Sequence, residues 1–422
     1  MKVILLLLLS TFSLFAQSLE QIVKEGLKND PNIQSLTYDY RLAVKDLELV
    51  DAHYRPTLDV SAFIGIERTQ SPQRLSNVTV LTTEKVALSG KYNLFSGYKK
   101  KYLLREKELA VKLSENKLKE ALINLSQEIS FAYIHMLKSY YVYTTYQKNI
   151  TNYKETLRKV QIKIDDGGEI DSNLYQVKSR LNYAETNLNS ALMRFEDSKI
   201  ALAKYIKRTP YIKNMKDPRT NSKDMNLKRL IKGTKKYNAT LDNLILQKKI
   251  SCALVGQEKS NYYPQIDLEV SENLGNNLYG SKGYDHNQHI GVNLKYNIYN
   301  GGIDKLNIEK AQLESLKSGS TINDAKREIL VNLKQLFNHY TMYKKKMITI
   351  NTHLKHAKRT ESLYVEEEEA TGGRSIIDIL NIQQEANAAM VSKIETKYTL
   401  IQLYYQLISN TSKILDYLKI KK

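Results

Sequence analysis

The chain has 422 residues and a net charge of +19, a length that suffices for two or three domains. It has no internal run of about 18 apolar residues or more, and Cys252 is its only cysteine. A transmembrane helix and an internal disulfide framework are therefore not expected, whereas the composition does not exclude transmembrane β-strands. The lysines are spread along the whole chain, which predicts a basic wall facing anionic lipid or acidic solutes and no nucleic-acid partner.

The N-terminus has the pattern of a secretory signal peptide, which we predict for residues 1–16. Lys2 supplies the positive start, Val3–Leu9 supply the apolar segment, and Ala16 is a small residue suited to the cleavage site. A buried N-terminal helix is the alternative interpretation.

The rest of the chain repeats itself at an offset of about 205 residues, far longer than the unit of a solenoid. The segments that recur are Tyr54-Arg55-Pro56 as Tyr262-Tyr263-Pro264, YNLFSG (92–97) as YNIYNG (296–301), and Gly167-Gly168 as Gly372-Gly373. This recurrence predicts two structural repeats, 17–208 and 226–422, joined by a linker at 209–225.

Each repeat begins with a predicted helix, near 19–53 and 227–260, and then changes to a period of two residues. Alternation of apolar and polar residues predicts strands with one face of each kind, long enough to cross a bilayer when tilted. The predicted strands are 57–68, 84–95, 265–275 and 288–299. Aromatic residues suited to a membrane interface cluster at one end of these strands: Tyr54, Tyr92, Phe95, Tyr262, Tyr296 and Tyr299.

Long helices follow the strands, predicted at 98–164 and 302–370. In both, apolar residues are spaced alternately three and four apart, which is typical of a coiled-coil seam. The paired glycines then allow a tight reversal of the chain. Returning helices are predicted at 171–207 and 375–417.

In this order, the elements resemble the TolC-like outer membrane efflux proteins. The resemblance rests on the Tyr-x-Pro before each first strand, on YNLFSG and YNIYNG at the end of each second strand, and on the Gly-Gly turn leading into DILNIQQEA (378–386). It implies an α+β membrane protein of two structural repeats, each with two transmembrane β-strands and long coiled-coil α-helices. Three chains would form a 12-stranded β-barrel continued by a periplasmic α-helical tube.

In that family the periplasmic aperture lies at the Gly-Gly tip and is closed by aspartates and polar links. Matched position by position, Asp378 falls on an aperture aspartate and Arg374 on an arginine that ties the closed state. Asn381 and Asn173 stand where aspartates are common, and Glu369 replaces a linking tyrosine. Asp378 also fits a simpler explanation, an acid stabilised at a helix N-terminus.

The resemblance further implies a passive duct that exports small molecules, such as drugs and toxic compounds, or proteins. Its implied partners are two further copies of the chain in a homotrimer, a periplasmic adaptor protein, an inner-membrane transporter of the RND, ABC or MFS class, and outer membrane lipid. The implied location is the outer membrane, with a long periplasmic extension. The sequence contains no HExxH motif, nucleophile elbow or glycine-rich phosphate loop, so we expect no enzymatic activity, cofactor or metal.

Two other classes of protein are compatible with parts of the pattern. A secreted coiled-coil adhesin or structural rod would account for the long helices but does not need four amphipathic strands. A periplasmic adaptor also has a helical hairpin, but usually only one. The acidic run Glu366–Glu369 is predicted to be a solvated helix face near the tip.

Overall fold

The computed structural model describes residues 18–70, 78–168, 170–221, 225–371 and 373–420. The predicted signal peptide, 1–16, lies outside these residues. The chain forms two compact units. Of the described residues, the helical unit contains those up to Ser35, those in Leu118–Ala239 and those from Lys326 onward. The sheet unit contains those in Leu36–Lys117 and Thr240–Ala325.

The two repeats contain the same elements in the same order, which confirms the two-repeat fold. The first repeat contains α1 (Leu19–Asn29), α2 (Pro31–His53), β1 (Thr57–Gln70), β2 (Val78–Ser96), α3 (Lys99–Asp165) and α4 (Asp171–Ile206). The second contains α5 (Leu227–Tyr237), α6 (Ala239–Lys259), β3 (Gln265–Asn276), β4 (Tyr284–Lys295), α7 (Ile303–Thr371) and α8 (Ile376–Asn410), followed by α9 (Ile414–Tyr417). Within the described residues, none of the helices combines the length and the apolar character needed to cross a bilayer.

The helix that opens each repeat is broken, although the sequence predicts a continuous one. Pro31 is the first residue of α2, a position at which a backbone N–H would have no partner within the helix. The Asp30 carboxylate caps this helix by accepting a hydrogen bond from the N–H of Ile33 at 3.0 Å. Asn238 ends α5 with extended backbone, and its side-chain amide donates to the carbonyl of Asn410 at 3.1 Å. Hydrogen bonds from these capping residues therefore end one helix and begin the next, although the apolar periodicity of the sequence continues across both breaks.

The four strands form one antiparallel sheet in the order β1-β2-β3-β4, so that β2 and β3 join the two repeats. β2 begins at Val78, before the predicted start at 84. β4 covers Tyr284–Lys295 in place of the predicted 288–299. The polar residues Asp285 and Asn287 pair with Gly275 and Asn273 of β3 because backbone hydrogen bonds extend a strand whatever its side chains are.

One face of this sheet is apolar and open. Leu58, Val60, Ile64 and Ile66 of β1 lie on it and are between 72% and 77% exposed. Up to the bulge in β2 at Asn93/Phe95, the strand register places even-numbered residues of all four strands on this face, which adds Val86, Leu88, Val270, Leu274, Ile290, Val292 and Leu294. At one end of the same face, Glu272 contacts His286 and Gln288. An apolar face this large, left exposed, needs a non-aqueous or protein surface to cover it.

The other face of the sheet is polar. Lys91 Nζ lies 3.0 Å from Asp267 Oδ2 and 3.5 Å from Glu269 Oε1. The side-chain amide of Asn93 donates to Asp267 Oδ1 at 2.7 Å. Charged groups that satisfy each other across neighbouring strands are typical of a face in contact with water.

The core of the helical unit is rich in tyrosine, and its hydroxyls fix the segment between the repeats. The Tyr133 hydroxyl donates to the carbonyl of Lys216 at 2.7 Å, and the Tyr398 hydroxyl donates to Asp217 Oδ1 at 2.6 Å. Burial raises the pKa of both tyrosines above the ordinary value, so the hydroxyls stay protonated as donors. Hydrogen bonds from these two buried tyrosines therefore hold the linker predicted at 209–225 in place at Lys216 and Asp217.

The two long helices, α3 and α7, have 67 and 69 residues. At 1.5 Å per residue each is about 100 Å long. The predicted seam residues Ile129 and Met136 of α3 and Leu333 and Leu354 of α7 are buried. The spacing of threes and fours thus marks the buried side of each helix.

Candidate functional site at the interhelical turns

α3 ends in a turn built on Gly167 and Gly168. The N–H of Gly167 donates to the carbonyl of Ile164 at 2.9 Å, and the N–H of Gly168 donates to the carbonyl of Lys163 at 2.7 Å. Gly167 has φ +75°, a left-handed conformation that glycine adopts without strain. This pair of bonds is the Schellman motif, which satisfies the carbonyls of the last helical turn and reverses the chain.

The second turn joins α7 to α8. Gly372 lies outside the described residues, and Gly373 is exposed beside Arg374. The Ser375 hydroxyl caps α8 by accepting a hydrogen bond from the N–H of Ile377 at 3.2 Å. Asp378 lies in the first turn of α8, where the helix dipole stabilises a carboxylate.

Arg374 makes three contacts around this second turn. Its Nε donates to Glu367 Oε2 at 3.1 Å, its Nη1 lies 3.7 Å from Asp378 Oδ2, and its guanidinium lies 3.8 Å from the centre of the Tyr364 ring. Arginine suits this role because its flat, permanently charged head both pairs with carboxylates and stacks on an aromatic ring. Arg374 therefore ties the end of α7 to the start of α8.

The acidic run Glu366–Glu369 lies at the end of α7. The sequence predicts a solvated face here, but two of its members reach α3. Lys159 Nζ lies 2.7 Å from Glu369 Oε1, and Lys163 forms an ion pair with Glu368, whose side chain is only 14% exposed. The prediction is wrong for Glu368. Two ion pairs thus connect the α3–α4 hairpin to the α7–α8 hairpin.

Asn381 belongs to a third connection between the two hairpins. Arg180 of α4 donates from Nη2 to Asn381 Oδ1 at 3.2 Å and from Nη1 to the side-chain carbonyl of Gln384. Asn173 lies in the first turn of α4, where its N–H donates to the carbonyl of Ile170 at 3.1 Å. Asn173 thus has the position in the first repeat that Asp378 has in the second.

An apolar cluster lies beneath these polar contacts, and Tyr364 and Val365 of α7 pack against it. Its buried members come from α3, α4 and α8: Ile150, Tyr153, Val160, Leu174, Val177, Ala184, Ile376, Ile379 and Leu380. Beside it, α3, α7 and α8 line a groove of about 650 Å³ with apolar walls and with Lys159, Lys163, Glu368 and Glu369 among its polar lining. The helix ends are thus fixed by packing, while the links between the hairpins are polar.

The structure brings Arg374, Asp378, Glu369 and Asn381 to the same pair of helix ends. The sequence analysis did not identify their partners Lys159, Arg180, Tyr364 and Glu367, nor Lys163, which pairs with the neighbouring Glu368. The spacing of Lys159 and Lys163, four residues apart on the last turns of α3, opposite an acidic run at the end of α7, is the signal that could have identified two of them.

The predicted interface aromatics gather at the end of the sheet where the helices begin. Tyr54 follows α2, Tyr92 and Phe95 lie at the end of β2, Tyr262 precedes β3, and Tyr296 and Tyr299 follow β4. Tyr98 joins them, with ring centres 5.4 Å from Phe95 and 5.5 Å from Tyr263. Tyr279 and Tyr284, which the sequence analysis did not single out, are 77% and 70% exposed at the opposite end of the sheet.

Comparison with models of known protein families identifies the family of this chain. A family model described as outer membrane efflux protein matches residues 22–206 and 230–410, one range in each repeat. The chain belongs to this family, whose members are transport proteins and not enzymes. No match was found among curated proteins.

Solved structures show the same fold. The CmeC outer membrane channel of Campylobacter jejuni is 17% identical, with a TM-score of 0.80 over 94% of this chain and 86% of that one. The outer membrane protein VceC of Vibrio cholerae is 14% identical, with a TM-score of 0.79 over 93% and 96%. The open state of the MtrE outer membrane channel of Neisseria gonorrhoeae is 15% identical, with a TM-score of 0.75 over 94% and 89%.

Proposed function

We propose that three copies of this chain form a passive outer membrane duct through which an export system moves small molecules, such as drugs and toxic compounds, or proteins. The observation that carries the proposal is the sheet with one exposed apolar face, one polar face and tyrosines at both ends. Apolar side chains such as Ile64 and Ile290 would face lipid, and Lys91, Asp267 and Glu269 would line a water-filled lumen.

The dimensions of the sheet support this assignment. β3 and β4 have 12 residues each, which corresponds to about 40 Å of strand and, at a tilt near 45°, to about the thickness of a hydrocarbon core. Four strands cannot enclose a lumen, whereas twelve strands from three copies close a ring without free edges. Tyr279 and Tyr284 at one end, with Tyr92 and Tyr296 at the other, suit the two membrane interfaces.

In the same proposal the interhelical turns form the periplasmic aperture. Asp378 would contribute a carboxylate from each of three chains, which attracts cations. Arg374, through Glu367 and Asp378, would hold the closed arrangement. The groove beside Lys159 and Glu369 supports docking of a helical periplasmic adaptor, which would join the duct to an inner-membrane transporter of the RND, ABC or MFS class.

The test is the mass of the purified, detergent-extracted protein combined with single-channel recording in a planar bilayer. We expect a trimer, recovered from the outer membrane, that carries small, steady, cation-selective currents. Recovery of a soluble periplasmic monomer would refute the proposed duct and favour the secreted rod. A trimer from the outer membrane that never conducts would refute the open passage.

Two substitutions test the aperture. Asp378→Ala removes the carboxylate ring, so we expect weaker block of the current by divalent cations. Arg374→Ser removes the contacts to Glu367 and Asp378, so we expect a higher conductance. Single-channel recording with and without divalent cations measures both effects, and unchanged currents in both variants would exclude these residues from the aperture.

A further inference from the structure

α5 carries an unusual concentration of positive charge. Its eleven residues include five basic side chains and no acidic one. All five are exposed: Lys228, Arg229, Lys232, Lys235 and Lys236. Five like charges within three helical turns repel one another, so they destabilise the helix unless something outside it compensates.

The first repeat shows that the fold does not require this charge. α1 occupies the same place in its repeat and also has eleven residues, but it carries two acids and two bases, Glu20, Glu25, Lys24 and Lys28. Glu25 accepts two hydrogen bonds from Arg208, at 2.7 and 2.8 Å. Because two helices in equivalent places differ so strongly, the charge of α5 is better explained by a partner than by folding.

The apolar side of α5 is already used inside the protein. Leu230 and Thr234 are 6% and 1% exposed, and Ile231 packs against the core of the helical unit. A helix that binds a membrane surface inserts its apolar side into the lipid, and α5 has no such side left. A lipid bilayer is therefore a poor partner for this surface.

The basic side of α5 is open to an anionic ligand. In the described part of the chain, no carboxylate pairs with Lys228, Lys232 or Lys235. Tyr237 ends the helix with a half-exposed ring, which lies 5.0 Å from Lys236 Nζ and 6.0 Å from Lys413 Nζ. Dispersed ammonium groups beside an exposed aromatic ring fit a ligand that carries both carboxylates and sugar rings.

We propose that this surface, defined as Lys228, Arg229, Lys232, Lys235, Lys236 and Tyr237, binds peptidoglycan. Its lysines would pair with the carboxylates of the peptide stems, and Tyr237 would pack against a sugar ring. The inference rests on the proposed function, because it requires the helical unit to lie in the periplasm. A trimer presents three such surfaces, and a polymer of repeated anionic units engages them together, which multiplies weak individual contacts. This multiplication favours a repeating polymer over a single acidic protein.

The experiment is co-sedimentation of the full-length, detergent-purified protein with purified peptidoglycan sacculi. One variant carries Gln at the five basic positions of α5. The matched control removes the same number of positive charges by Lys→Gln changes at five exposed positions of α7: Lys344, Lys345, Lys346, Lys355 and Lys358. We expect the wild type and the α7 control to sediment with the sacculi, and the α5 variant to lose about tenfold or more in affinity.

Further arms identify the ligand. Amidation of the sacculus carboxylates should abolish wild-type binding, and Tyr237→Ala should weaken it. Equal loss in the α5 and α7 variants would overturn the proposal in favour of unspecific charge attraction. Sedimentation with vesicles of phosphatidylcholine and phosphatidylglycerol, without binding to sacculi, would overturn it in favour of lipid. Bilayer currents are recorded for every variant, so that a failure of the duct is distinguished from a failure of this surface.

Discussion

Gly97→Ala is expected to destabilise the protein by about 2–4 kcal/mol, the sum of a left-handed conformation forced on alanine and an overlap with fixed backbone. Gly97 lies between β2 and α3 with φ +62°, and a Cβ there would lie 2.4 Å from the carbonyl oxygen of Ser260 and 2.8 Å from the Cβ of Tyr263. Neither atom belongs to the flexible end of a side chain. The temperature at which the purified protein loses its native mobility in detergent gels measures the effect.

The second repeat supplies the control. Gly301 ends the motif YNIYNG as Gly97 ends YNLFSG, and its φ is also positive, +58°, but nothing lies within 4 Å of a Cβ added there. Gly301→Ala should therefore destabilise the protein only by the cost of the left-handed backbone conformation for alanine, about 1 kcal/mol. Equal losses in the two variants would show that the left-handed conformation alone, and not the close approach of Ser260, explains why both motifs of this chain end in glycine.

Reversing the two lysines that hold the hairpins together is expected to raise the conductance several-fold. Lys159→Glu with Lys163→Glu replaces two attractions by repulsion from Glu369 and Glu368, which drives the α3–α4 and α7–α8 hairpins apart. Adding Glu368→Lys and Glu369→Lys restores both pairs with opposite polarity and should restore a low conductance. High currents in the fourfold variant would show that the pairs themselves do not control the opening.

The pH dependence of the same contact has a definite sign. The hydrogen bond and charge of Lys159 hold the pKa of Glu369 below its ordinary value of 4.5. A carboxylate with a lowered pKa keeps its contribution at neutral pH and loses it only as the pH falls through that lowered value. We expect the wild-type current to rise only as the pH falls below 4.5, the ordinary pKa of the group, and Glu369→Gln to conduct more at neutral pH with a smaller further rise.

The elements of this fold could be predicted from the sequence because each has a strong period over many residues. Alternation identified all four strands, and the spacing of threes and fours identified α3 and α7. The ends of the strands were less predictable. Asp285 and Asn287 are polar, as loop residues usually are, but they pair with β3 because strand pairing depends on backbone hydrogen bonds to the neighbouring strand. The breaks at Pro31 and Asn238 depend on caps that a periodic pattern does not contain.

The candidate site was harder to predict than the fold. Arg374 and Asp378 could be identified by resemblance, and their contact is local, because only four residues separate them across Ser375, the cap of α8. Lys159 and Glu369 are 210 residues apart in the sequence. Their contact depends on how two long helices are rotated about their axes. In the cluster beneath them, Val160 of α3 and Val365 of α7 fix which sides of the two helices face inward.

If the protein forms the proposed duct, the order of its strands has a consequence for its insertion into the membrane. The free edges of the four-stranded sheet are β1 and β4, one from each repeat, so that copies in the proposed trimer would join head to tail and not face to face. If one copy entered hydrocarbon alone, about half of the 14 residues of its edge strand β1 would carry unpaired backbone groups. Each unpaired group would destabilise the inserted state by several kcal/mol. A pair of copies still leaves two such edges, and only the closed ring leaves none. Insertion is therefore expected to be a cooperative event that follows or accompanies assembly, with no stable one-copy or two-copy stage inside the bilayer.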